Sequence, residues 1–151
     1  SAASDVYKRQ SSPHLGLRPT YLRDNKPTRI QRKGILYEKR VARALVEWAT
    51  PDDFILWGQW IHWDRAVCQP DLILIPPRGP IVVVEVKLTC KRNVEKKLRE
   101  VYGPAVDRIF AGRGVTFAQI YKNLDGCAPH GYDFDLLREL GPYDYAEILW
   151  R

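Results

Sequence analysis

Pro70-Asp71-Leu72-Ile73-Leu74-Ile75-Pro76-Pro77-Arg78-Gly79-Pro80-Ile81-Val82-Val83-Val84-Glu85-Val86-Lys87 holds the reading that decides the fold. Two apolar, largely β-branched runs flank a proline and glycine cluster that cannot supply ladder hydrogen bonds, so the segment predicts strand, turn, strand. The turn centres on Arg78, and Asp71 and Glu85 are symmetric about it. In an antiparallel hairpin without a bulge those two stand opposite each other, side chains on one face and about 5 Å apart. Lys87, two residues beyond Glu85, shares that face. Carboxylates opposed inside apolar strands repel each other and lose hydration, so the arrangement asks for a cation. Mg²⁺ suits it, since it takes one or two carboxylates plus waters and phosphate oxygens, and Mn²⁺ is expected to substitute. Lys87 beside such a site can orient or deprotonate a water, or offset charge on a phosphate. Without a cation the two carboxylates raise each other's pKa, which predicts metal binding that weakens at low pH.

Outward from the hairpin, Gly34 to about Ala49 predicts a helix, with Ile35, Val41, Ala42, Leu45, Val46 and Ala49 on its apolar side. Glu38 falls at the centre of that face, where an ionised group belongs only if paired or bound to a metal. It therefore reads as a site residue, the alternative being a buried ion pair. Lys39, Arg40 and Arg43 point the other way, to solvent or a phosphate backbone. Phe54 to Trp63 predicts a first strand, Gln69 to Ile75 a second and Ile81 to Thr89 a third. Lys91 to about Gly112 predicts a helix kinked or split at Gly103-Pro104, then come a strand at 115–121, a short helix at 133–140 and a strand at 145–150. The sum is an α/β chain: a mixed central sheet flanked by helices. Residues 1–33 predict an irregular basic arm, with 1–10 set aside as an artefact of the sequence, and 34–151 predict one domain.

With 151 residues, 45% of them hydrophobic, the chain is sized for one domain that folds unaided. Its longest apolar runs are too short to span a bilayer, and no secretory signal pattern is present, so an intracellular protein is expected. Cys68, Cys90 and Cys127 are odd in number, lack CxxC spacing and read as reduced thiols. The net charge of +6 alternates along the chain: +7 over residues 1–50, −2 over 51–90, +4 over 91–113 and −3 over 114–151. Basic flanks around an acidic centre suit a nucleic acid whose phosphates meet the carboxylates across a cation. Trp57, Trp60, Trp63 and His62 are candidates for base stacking, although core packing is the commoner use of strand aromatics. Lys91, Arg92, Lys96, Lys97 and Arg99 read equally as a phosphate track or a solvated helix face, and the Glu95-Lys96-Lys97 triplet reads as solvated.

Pro70-Asp71, Glu85-Val86-Lys87 and Gly34-x-x-Tyr37-Glu38 together resemble the PD-(D/E)XK nuclease superfamily, over about residues 34–121. The resemblance implies a restriction-endonuclease-like α-β-β-β-α-β core. It also implies Mg²⁺ held by Asp71, Glu85 and the Val86 carbonyl, a catalytic Lys87, and Glu38 assisting the metal directly or through water. The pattern is similar to archaeal-type Holliday junction resolvases and small phage-type nucleases, which implies a Mg²⁺-dependent DNA endonuclease, with junction or branched DNA as one substrate class. A homodimer suits cutting of two strands. The rival readings are a non-catalytic nucleic-acid-binding protein on the same fold and an interaction subunit using the Trp-rich strand.

Overall fold

The computed structural model describes residues 12–151; the artefact reading of residues 1–10 lies outside them. A five-stranded mixed sheet forms the centre, in the order β2 (Phe54–Trp57), β5 (Leu72–Ile75), β6 (Ile81–Thr89), β7 (Val115–Asn123), β8 (Tyr145–Leu149). The first three strands pair antiparallel, and β6, β7 and β8 run parallel. β8, from the C-terminal segment, thus lengthens the sheet beyond β7. The hairpin register is the one predicted by symmetry about Arg78: Leu72 opposes Val84, Ile73 opposes Val83 and Leu74 opposes Val82. One further step brings Asp71 opposite Glu85.

Alternation on β5 and β6 divides the core into two layers. Leu72, Leu74, Val82, Val84 and Val86 face α1 (Arg29–Trp48) and α4 (Leu136–Glu139), together with Phe134 and Leu137. Ile73, Ile81 and Val83 face the crossover between β6 and β7. That crossover is α2 (Val94–Lys97), a π-helical turn at Leu98–Tyr102 and α3 (Gly103–Ile109). Each fully buried Val, Leu or Ile here contributes about 1.5–3 kcal/mol. The expected break at Gly103-Pro104 takes the form of the π turn. Pro104 has no N–H to give to the carbonyl four residues back, and the Gly103 N–H bonds Leu98 instead.

Several expectations are corrected. α1 begins at Arg29, five residues before the predicted start and inside the predicted arm, because Thr28 and Gln31 form a reciprocal capping box. Its buried face is Tyr37, Val41, Ala42 and Leu45; Ile35 and Val46 are exposed. The arm itself contains β1 (His14–Gly16), which pairs with β3 (Trp60–Trp63). The single strand predicted over 54–63 is two, broken at Gly58, whose φ of +64° suits glycine. β3 leaves the main sheet and forms a three-stranded sheet with β1 and β4 (Ala66–Cys68). Cys90 and Cys127 form a disulfide rather than free thiols: the end of β6 and the loop after β7 bring their Cα atoms to 6.4 Å. Among the described residues, no helix is long and apolar enough to cross a membrane.

Candidate active site

The β5–β6 ladder ends at Leu72 and Val84, and the candidate site begins one step beyond. The Val86 N–H donates to Asp71 Oδ2 at 2.7 Å, so the Asp71 side chain continues the pairing that its backbone has left. Strand geometry points the Val86 carbonyl to the same side as its N–H, towards Asp71. The Asp71 carbonyl accepts from Gly58 N–H at 2.9 Å, which fixes Asp71 between β2 and β6. Continuing the register one step past Leu72 and Val84 sets Asp71 against Glu85, and the two carboxyls interact. Burial, then the Glu85 carboxylate, then the Glu38 charge push the Asp71 carboxyl up to about 9, against the pull of the Val86 N–H.

Glu85 is 2% exposed within the apolar run of β6. Among the described residues no hydrogen-bond donor is directed at its Oε2, yet Lys97 Nζ stands 3.3 Å away. The charge is compensated while the lone pairs are not satisfied. Lys97 is a site residue that sequence reasoning assigned to solvent. It rises from α2, lies 5.0 Å from the centre of the Tyr102 ring, and keeps its other side in water. Burial works against its charge, but the Tyr102 hydroxyl and Glu85 outweigh it and hold Lys97 at about 12. The five-residue separation of Lys97 and Tyr102 spans the π turn. A signal existed: Lys97 lies between the apolar positions Val94 and Leu98, at the edge of the buried stripe.

Glu38 enters from α1. Trp57 Nε1 donates to Glu38 Oε1 at 3.3 Å. Burial raises its pKa; the Trp57 bond and Lys87 oppose that, and Glu85 adds to it. Glu38, Asp71 and Lys87 share one open cleft of about 450 Å³, whose walls include Gly34, Gln31, Val86 and, from the predicted arm, Asn25. Three of the four predicted side chains therefore line one cleft, and the fourth, the buried Glu85, is linked to it through its interaction with Asp71. Glu38, Asp71 and Glu85 do not bring one oxygen each within 4.8 Å of one another, so Glu38 stands back from the carboxylate pair. Among the described residues, the close-set group of metal-ligating types is Cys90, Cys127 and Glu147, and its two sulfurs are joined to each other.

No family model and no curated protein matches this chain. Among solved structures, a chain of the Thermococcus gammatolerans half-complex from a tetradecameric assembly of McrB AAA+ hexamers with bound McrC is similar over 78% of this chain, at 17% identity and a TM-score of 0.39. This chain spans 27% of that chain's length.

The donor set fits a hard dication. A carboxyl whose pKa is raised by burial and by a neighbouring carboxylate, and a buried carboxylate oxygen without a donor among the described residues, are both relieved by a divalent ion with oxygen preference. The tryptophans do not form one stacking row. Trp57 belongs to the main sheet and holds Glu38, whereas Trp60 and Trp63 belong to the small sheet, where Trp63 packs on the crossover layer with Arg108 5.2 Å from its ring. His62 Nε2 bonds the Leu17 carbonyl at 2.7 Å and its ring stacks on His14.

Proposed function

We propose that this chain is a Mg²⁺-dependent DNA endonuclease of the PD-(D/E)XK type. One observation carries the reading: Asp71 lines a cleft with Lys87 and Glu38, and it interacts there with the buried Glu85, whose Oε2 lacks a hydrogen-bond donor among the described residues. The element order supports it as well. α1, β2, β5, β6, the helical crossover and β7 follow the restriction-endonuclease-like α-β-β-β-α-β order, with β3 and β4 as an insertion.

Asp71, Glu85 and the Val86 carbonyl would hold the ion, with Glu38 reaching it through water. When bound, Mg²⁺ supplies Lewis-acid compensation for the charge that builds on a phosphodiester. Lys87 contributes an ammonium on the face of β6 that carries Glu85, placed to hold the scissile phosphate and to orient a water for in-line attack. Trp57 fixes the Glu38 carboxylate, and the Val86 N–H fixes that of Asp71, so neither must reorganise as the reaction proceeds.

The test is cleavage of labelled duplex, single-stranded, flap and four-way-junction DNA in Mg²⁺, Mn²⁺ or EDTA. Asp71→Asn and Lys87→Ala should each lower the rate by about 10²–10³-fold, the scale of losing one charge-stabilising group. A Lys87→Ala protein that cuts at the wild-type rate would sink the assignment. Sedimentation of the DNA-bound species tests the homodimer. The Glu85–Lys97 pair favours a second reading, a nucleic-acid-binding module that does not hydrolyse, because an ammonium already balances Glu85. DNA binding unchanged by EDTA, with no cutting in either metal, would establish that module instead.

A further inference from the structure

We infer that the outer face of α1 is a nucleic-acid docking surface, which lays a sugar-phosphate backbone along the helix and passes it into the cleft beside Gly34. The inference rests on the nuclease reading for the cleavage step alone, and binding along α1 stands without it.

Between Arg29 and Arg43 the helix carries six cations, Arg29, Arg32, Lys33, Lys39, Arg40 and Arg43, and all six are exposed. The single acid in this stretch, Glu38, is turned into the cleft. Among the described residues the ion pairs are made by Arg18, Lys97, Arg99 and Arg138, and by none of these six. A solvated helix gains from Glu–Lys pairs at i, i+4; the outer face here has one opposite-charge spacing of that kind, Arg43 with the exposed Glu47, and it forms no ion pair among the described residues. The distribution also opposes the helix dipole, with no acid in the first turn and no base in the last. Such an arrangement weakens the isolated helix and becomes favourable when an external polyanion lies on it.

Gly34 points to the same partner. Mid-helix glycine costs stability relative to alanine. Yet a Cβ on Gly34 would meet nothing within 4 Å among the described residues, so none of these neighbours demands its absence. Gly34 lies on the cleft wall with Gln31 and Glu38, where a bare backbone lets a ligand approach closely. From Arg29 to Arg43 the helix rises about 21 Å, the axial length of about six base pairs of duplex at 3.4 Å each. A membrane is a poor fit, because the apolar face such a helix would insert is already buried as Tyr37, Val41, Ala42 and Leu45.

The experiment is fluorescence anisotropy in EDTA, with duplex and single-stranded DNA titrated across a salt series. Lys33→Gln/Lys39→Gln/Arg43→Gln is compared with Arg65→Gln/Arg78→Gln/Arg108→Gln, which removes the same charge elsewhere on the molecule. The α1 triple should weaken duplex binding by about tenfold or more and flatten the log–log salt slope by about 2–3, while the second triple stays within about twofold. Gly34→Gln should weaken binding about fivefold, with Tm unchanged or raised. Equal losses in both triples, or no binding by the wild type, would overturn the surface. So would binding of polyglutamate as tightly as duplex, which would point to an acidic protein partner. Cleavage is measured separately in Mg²⁺. Binding through α1 without cutting removes the nuclease reading and leaves the surface, whereas cutting with full binding by the α1 triple removes the surface and leaves the nuclease.

Discussion

Asp71 holds a proton at neutral pH because its burial and two other carboxylates act on it together. In the unfolded chain it ionises near 3.8 and in the folded protein near 9. Between those values the folded state binds a proton that the unfolded state has lost, so metal-free stability falls as pH rises from about 4 to 9. Asp71→Asn removes that penalty. Its amide oxygen can still accept from Val86, and its NH₂ can donate to the unsatisfied Glu85 oxygen. The expected outcome is a metal-free protein more stable by about 1–2 kcal/mol at pH 8, a gap that closes towards pH 4, and no further gain on adding Mg²⁺. Thermal melts across pH with and without the ion check it. Lys97→Met acts in the other direction. It leaves Glu85 buried without a counter-ion and should cost about 1–3 kcal/mol, less than a fully buried pair because Lys97 is half in solvent. Mg²⁺ should then raise Tm more in this variant than in the wild type; an equal rise would mean that Lys97 and the cation do not compete for Glu85.

At the scale of elements, the position of Glu38 depends on where α1 starts, and that is fixed by Thr28. The Thr28 hydroxyl accepts from the Gln31 N–H while the Gln31 side chain accepts from the Thr28 N–H. Thr28→Ala should cost about 1 kcal/mol and Thr28→Ser much less, read as a shift of the urea midpoint at unchanged m. A Thr28→Ala midpoint equal to wild type would show that packing of Tyr37, Val41 and Leu45 alone sets the helix start. This cap also shows why some of the fold could be read from sequence and some could not. The β5–β6 hairpin was legible because a proline-rich turn with symmetric flanks admits one register, and that register places Asp71 against Glu85. Glu38 was legible because it breaks an apolar period. The cap was hidden because Pro27, Arg29 and Arg32 around it lack the acidic first turn that marks a helix start. The split of 54–63 was hidden because Gly58 and Gln59 lie between tryptophans, so aromatic content masked a turn set by a positive φ. Lys97 was missed for a different reason: its partner is on another element, and local charge pattern says nothing of that.

Across the whole molecule, the Cys90–Cys127 disulfide is a brace on the strand that holds Glu85 and Lys87. Cys90 follows β6 directly, three residues beyond Lys87, and Cys127 lies in the loop after β7, so the bridge closes a loop containing the whole helical crossover. Cysteine count and spacing could not show this, since the two residues stand 37 apart and meet only through the parallel pairing of β6 with β7. Closing a loop of that length removes entropy from the unfolded chain worth about 2–4 kcal/mol. For a chain of this size, that corresponds to a fall in Tm of roughly 5–15 °C on reduction or in Cys127→Ser. Non-reducing peptide mapping should recover the 90 and 127 peptides joined and the Cys68 peptide free. A Tm indifferent to reductant in a chain shown to be bridged would mean that the loop is already held by its other contacts. These include the Cys127 N–H bond to Leu124 and the pairing of His130 and Gly131 with Glu147. Were Tm to fall while the cleavage rate of the folded, reduced protein stayed constant, the bridge would stabilise β6 without positioning Glu85 and Lys87. Loss of both together would place the end of β6 among the parts that set the geometry of the cleft.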